Sequence, residues 1–332
     1  MDHRLSLIPI GLLLSCDALA DAPDDSDVFA LARAAVTLSR EEEATSVWPG
    51  MAELDEGFVI VTPDYETAYC FDAAPGFVLT TEIDSLDCKA HRRKRIFPQQ
   101  IQASLNLFGA EETVMTSGPG ALGQTLTDWQ LLFIHERFHQ WQSTLPDYAV
   151  TVSALDLAGD DDTGMWMLTY PFPYDGPAVN ERFAELGREL ARLFAAKELS
   201  PKDIDRYRSL REKAFATLSD AERRYAEFQL WKEGAARWTE LAVADVLANS
   251  ELTDTQRFAA AADARRGQIQ EILNKHSFAS AQRGLFYALG AAEWELVERI
   301  DPTWRERYGD TARFVMDSAL TGDGDCRSVA GC

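Results

Sequence analysis

Basic side chains, cysteines and histidines are all scarce in this chain, and each shortage removes a class of function. There are 32 lysines and arginines against 54 aspartates and glutamates, a formal charge of −22. A nucleic-acid surface needs concentrated cations to displace counterions from phosphate, so no nucleic-acid partner is expected. The one basic cluster, His91-Arg92-Arg93-Lys94-Arg95, is short and reads as an exposed, solvated turn. No two of the five cysteines stand in Cys-x-x-Cys spacing, which argues against a cysteine-built structural zinc site. Long apolar runs are missing too. The longest, Leu5 to Leu14, is interrupted by Pro9 and falls short of the roughly 20 residues that cross a bilayer.

That short run, preceded by Arg4 and followed by small residues, has the form of an export signal over residues 1–20. Two cleavage sites compete. Ala18-Leu19-Ala20 before Asp21 suits ordinary processing, whereas Leu13-Leu14-Ser15-Cys16 resembles a lipoprotein box with Cys16 as the acylated residue and membrane tether. Either way the mature protein is expected outside the cytoplasm of a bacterial cell, as a periplasmic protein or a membrane-anchored lipoprotein. It retains Cys70, Cys88, Cys326 and Cys332. In an oxidising compartment the simplest pairing is local, Cys70 with Cys88 and Cys326 with Cys332.

The remaining chain has enough apolar residues for a substantial core, and its pattern changes twice. An acidic linker and a helix over Val28 to Val47 fill residues 21–56. Residues 57–125 carry short β-rich runs at 58–62, 67–71, 77–81, 101–108 and 113–116, punctuated by Pro and Gly. Residues 126–320 read as helical, with segments at 178–199, 202–217, 219–249, 254–275 and 279–300, and residues 321–332 as an irregular tail. The expected fold is α+β: a small, mostly antiparallel N-terminal sheet followed by a large helical domain. Asp160-Asp161-Asp162 lacks the order of a calcium loop and reads as a solvated turn. Trp166, Tyr170, Phe172 and Tyr174 suit either a cleft lining or an aromatic loop packed on the core.

Against this background one helix stands out. Residues 126–142 are apolar around His135-Glu136-Arg137-Phe138-His139, with Thr127 and Gln130 in capping-box spacing at the start. Positions i and i+4 share a helix face, so His135 and His139 can offer two imidazoles to one Zn2+ while Glu136 stands beside it as a general base. A third protein ligand would complete the set and leave a fourth position for a water whose pKa falls to about 7. A histidine six residues beyond His139 is absent, since Leu145 is there, and neither His91 nor His276 has a matching spacing. A carboxylate is the better expectation.

Farther on, Glu233-Gly234-Ala235-Ala236-Arg237-Trp238-Thr239-Glu240 meets every fixed position of a Glu-Gly-x-Ala-x-aromatic-x-Glu stretch. In this the chain resembles the gluzincin metallopeptidases, the aminopeptidase N family in particular. The resemblance implies Glu233 as the third zinc ligand and Glu240, two turns on, as a carboxylate backing the ligand set. Gly234 and Ala236 would let this helix approach the His135 helix closely. The resemblance covers these two segments and a looser Tyr287-x-x-Gly290. For the oxyanion donor Tyr287 is the first choice, ahead of His276 and Arg283. By the same resemblance, Glu112 to Ser117 would be the edge strand that holds a peptide by β-addition.

Two departures limit what carries over. The 94 positions from His139 to Glu233 make residues 143–232 a helical insertion, and the Gly-x-Met-Glu-Asn stretch that holds a free α-amino group is missing. Exopeptidase action is therefore not implied. The expectation is an exported zinc hydrolase, most simply a peptidase acting on a peptide or protein. A zinc hydrolase of another amide or ester, or a catalytically silent envelope scaffold, stays open as an alternative.

Overall fold

The computed structural model describes residues 28–48, 50–83, 88–108, 112–250 and 255–309. The export signal with Cys16, the acidic linker up to Asp27, and the tail with Cys326 and Cys332 lie outside the described residues.

In chain order the elements are α1 (Val28–Arg40), α2 (Glu42–Thr45), β1 (Phe58–Val61), β2 (Tyr65–Tyr69), β3 (Val78–Ile83), β4 (Cys88–Lys94), β5 (Gln102–Asn106) and β6 (Glu112–Ser117). Then follow α3 (Pro119–Leu122), α4 (Leu126–Thr144), α5 (Tyr148–Ser153), α6 (Trp166–Thr169), α7 (Pro177–Ala195), α8 (Pro201–Phe215) and α9 (Asp220–Gln229). A π-helical turn, Leu230–Gly234, leads into α10 (Ala235–Ala248), α11 (Thr255–Lys275), α12 (Phe278–Ala281) and α13 (Gly284–Ile300). The α+β expectation holds at this level. The described residues group into two compact units, one with those up to Ser46 and from Gly50 to Gln140, the other with Val47, Trp48 and those from Trp141 onward.

The six strands form one sheet in the order β3-β4-β2-β1-β6-β5. It is a mixed sheet, which corrects the mostly antiparallel expectation: β1 pairs antiparallel with β2 but parallel with β6. The reason lies in β1, whose Phe58-Val59-Ile60-Val61 run has no polar position and is buried throughout. A strand with two apolar faces belongs in the middle of a sheet covered on both sides. Phe58 and Ile60 pack with Ala35, Val36, Trp129 and Phe133 of α1 and α4, whereas Val59 and Val61 pack with Ala68, Ile101 and Met115.

The basic run is no turn. His91 to Lys94 lie in β4, which sequence reading missed because the run looks uniformly charged. Arg93 donates from Nε to Oε2 of Glu66 at 2.6 Å, and Glu66 is fully buried. Its other oxygen accepts from the backbone N–H groups of Ile96 and Phe97, at 2.8 and 2.6 Å. A buried carboxylate is tolerable only when paired and hydrogen-bonded, and this one has a cation and two amides.

Cys70 and Cys88 are brought together, as expected, but as two thiols rather than a disulfide. Cys70 takes its amide bond to Lys89 O on the neighbouring strand, and burial together with a hydrogen bond to Cys88 pushes its thiol pKa up. A protonated thiol is a poor nucleophile, so closure of this pair should be slow at neutral pH. In a Cys326→Ser/Cys332→Ser background of the mature chain, oxidation with excess oxidised glutathione should still remove two titratable thiols in denaturant by joining Cys70 to Cys88, and adding Cys88→Ser should abolish that intramolecular bridge.

In the helical unit the sequence boundaries are met closely, with proline at the start of α7 and α8 and Ser200 and Ser219 in capping boxes. The aromatic loop packs on the core: Trp166 stacks on Phe228, Tyr170 on Tyr225, and Phe172 sits against Phe278 and Phe286. Asp161 caps its own turn, accepting from Thr163 and from the amide of Trp166, as a solvated turn requires. Between α8 and α13, Arg211 Nε donates to Glu293 at 2.9 Å with both side chains 1% exposed, and Tyr207 donates to the same carboxylate. Arg211→Met would strand a buried charge. It should cost about 3–5 kcal/mol in urea unfolding, with much of that recovered when Glu293→Leu is added.

Candidate metal centre

The motif helix α4 is entered through a rigid sequence of steps. β6 ends at Ser117, whose carbonyl accepts from Trp129 Nε1 at 2.8 Å. Thr125 then caps the helix, taking the Asp128 amide at 3.1 Å and donating to the Asp128 carboxylate at 2.8 Å. The box is therefore Thr125 with Asp128, two positions earlier than the Thr127 and Gln130 pairing expected. β6 lies between β1 and β5, so the edge-strand role expected for Glu112 to Ser117 does not hold. The outermost strand there is β5, and its Gln102 donates to Leu132 O of α4 at 3.3 Å.

From the tenth residue of α4 onward the two imidazoles converge. His135 Nε2 and His139 Nε2 are 3.1 Å apart, and the rings stand nearly perpendicular with centroids 4.7 Å apart. Both are buried, as is Glu136 between them in sequence. Arg137, which sequence reading left without a role, is buried too. Burial lowers its pKa to about 10. It donates to Gln140 Oε1 at 2.7 Å and to the carbonyls of Leu54 and Asp55, tying the back of α4 to the turn before β1.

Glu233 sits inside the π turn, all five residues of which are buried. A π turn adds one residue to a helix and releases carbonyls from the regular ladder. Here side chains from elsewhere in the same unit collect them. Trp294 Nε1 donates to Leu230 O at 3.2 Å, Tyr308 to Trp231 O at 2.8 Å, and Gln142 to Tyr308 Oη at 2.6 Å and to Lys232 O at 3.4 Å. The helix after the turn is held close to α13. A Cβ on Gly234 would lie 2.4 Å from Gly290 Cα, and one on Gly290 would lie 2.5 Å from Gly234 Cα. Gly234 thus makes a close approach to Gly290. Small residues facing one another let two backbones meet, and only glycine fits at both positions.

The ligand atoms of His135, His139 and Glu233 all lie within 4.8 Å of one another, and among the described residues no second group of three metal-ligating side chains does so. Two nitrogens bound at about 2.0–2.1 Å to a tetrahedral ion would be about 3.3 Å apart, close to the spacing found here. Without an ion, two lone pairs at that spacing would repel, so one ring has to direct a proton at the other. An ion can replace that proton. The group fits a metal.

The other expected site residues sit differently. Glu240 is fully buried and held by Arg237 at 2.8 Å and Arg265 at 2.9 Å. Tyr287 is buried on α13, with the guanidinium of Arg283 5.3 Å and that of Arg237 5.7 Å from its ring centre. Arg283 also donates to Glu233 at 3.3 Å. Burial opposes its charge, but Tyr287, Glu233, Tyr225 and Tyr174 outweigh that and raise its pKa above the ordinary arginine value. His276 is engaged with Ser280 in the turn between α11 and α12, with Nδ1 3.3 Å from the hydroxyl. Compared with protein-family models, with curated proteins and with solved structures, the chain finds no match.

Proposed function

We propose that the protein is a zinc-dependent hydrolase of peptide amides that works outside the cytoplasm. The observation that carries this reading is the convergence of His135, His139 and Glu233 on one buried spot. Two imidazoles and one carboxylate are the donor set of a catalytic zinc site, which keeps a position open for reaction, whereas magnesium and calcium favour all-oxygen shells. When bound, such an ion lowers the pKa of a water and polarises a carbonyl.

The chain supplies the rest. His135 and His139 are held on one face of α4, and the π turn presents Glu233 from a second helix. Glu136, next to His135 in a buried setting, takes the proton of the attacking water and passes it to the leaving nitrogen. Tyr287 is assigned the donor role to the developing oxyanion. The signal-like N-terminus supports export, with Cys16 as an optional tether.

The test is metal content joined to activity. Protein purified without chelator should carry about one zinc per chain. It should cleave a quenched-fluorescent random peptide library, lose that activity with a chelator and regain it with one equivalent of zinc. A chain that neither retains zinc nor cleaves the library after reloading would overturn the reading.

A further inference from the structure

Arg283 stands beside the proposed ligand Glu233, and its guanidinium is only partly used. Nη1 makes both of its hydrogen bonds, to Glu233 Oε1 at 3.3 Å and to Gln229 Oε1 at 3.4 Å. Among the described residues neither Nη2 nor Nε donates to a protein acceptor, and the side chain is 19% exposed. Two donor directions of a planar fork therefore open away from the protein's own acceptors.

A second guanidinium lies close by in an otherwise acidic molecule. Arg237 binds Glu240 and Arg283 binds Glu233, and both guanidiniums stand over the ring of Tyr287, at 5.7 and 5.3 Å from its centre. The chain as a whole carries −22. Nearby, the phenols of Tyr174 and Tyr225 are hydrogen-bonded to each other within electrostatic reach of Arg283. A fork-shaped cation with two donors to spare matches the geometry of a carboxylate.

We infer that Arg283 is the seat of a carboxylate-binding subsite, and that the substrates are peptides presenting a free carboxylate there. This rests on the hydrolase reading for its meaning but not for its measurement. The carboxylate has two sources, the C-terminus of a peptide or an acidic side chain, and the arms of the test separate them.

Zinc-loaded Glu136→Gln protein is titrated with three fluorescently labelled pools of random tetrapeptides: neutral with a free C-terminus, neutral with an amidated C-terminus, and amidated with one glutamate. At least one carboxylate-bearing pool should bind roughly tenfold tighter than the amidated neutral pool, the gain expected of one charge-assisted pair. The pool that does so identifies the source. Adding Arg283→Gln should bring the pools to within about twofold, and Arg283→Lys should keep part of the preference because the charge survives without the fork. Succinate should compete with the favoured pool on the parent protein, a readout independent of any variant's folding. Equal binding of all three pools, or a preference that survives Arg283→Gln, would overturn the subsite. Zinc content is measured in parallel. A protein without zinc would sink the hydrolase reading, while the pool preference of that same protein still decides the subsite.

Discussion

Glu136→Gln should leave one zinc bound and lower peptide hydrolysis by about 10²–10⁴-fold, the range for loss of a positioned general base. The swap keeps the shape of the side chain and removes only its ability to accept a proton. Since Glu136 is not among the three side chains that converge as ligands, metal retention should be untouched. Glu233→Gln should do the reverse. It replaces an anionic ligand with a neutral amide and deprives Arg283 of its carboxylate partner. Zinc affinity should then fall by more than the 10–100-fold that accompanies loss of a partner behind the ligands. Equilibrium competition with a chromogenic chelator and initial rates on the same preparations separate the two effects. If Glu136→Gln loses zinc as severely as Glu233→Gln, the base assignment is wrong and Glu136 belongs to the framework.

The second large effect concerns a residue that touches no ligand. Gly290→Ala should destabilise the protein by about 3 kcal/mol, the upper end of the usual cost of overpacking. The added methyl would meet Gly234 Cα at 2.5 Å and the Leu230 carbonyl oxygen at 2.7 Å. These are backbone atoms and cannot swing aside as a flexible side chain would. Relief requires parting α13 from the π turn, which pulls on the segment that carries Glu233. Weakened zinc binding should accompany the lost stability, and Gly234→Ala should behave alike. Gly267→Ala is the contrasting case. Its new methyl meets nothing within 4 Å on a regular helix, so stability should rise by about 0.5–1 kcal/mol. Urea unfolding of the three variants, with chelator competition on each, reads both quantities.

Much of the centre was legible in the residues because helix geometry is local. The four-residue spacing of His135 and His139 dictates a shared face wherever the helix lies. Glu233 could be named because its neighbours Gly234, Ala236, Trp238 and Glu240 formed a pattern of known kind. The π turn left no such mark. Periodicity reveals a one-residue insertion only when an apolar face is displaced against a polar one, and Leu230–Gly234 is buried all round. Glu66 explains the misreading of β4: the charge that neutralises Arg93 stands 27 positions away and becomes visible only when the strands pair. Strand order was hidden for a similar reason, since the parallel partner of Phe58 is Val114, with the four strands β2 to β5 drawn from the sequence between.

Trp48 has a consequence for how the chain is made. The chain before Val47 and after Pro49 belongs to the sheet unit, yet Trp48 groups with the helical one, where its indole donates to Thr239, 191 positions onward, and packs on Trp141, Trp238 and Trp304. A ribosome delivers this residue early and its partners late. During synthesis the sheet unit can pair its strands, but the segment around Trp48 has to wait until α10 and the turn at Trp304 have emerged. The closing of that aromatic cluster is therefore a late event in biogenesis, and the change in tryptophan emission that accompanies it offers a clock for the arrival of the finished fold.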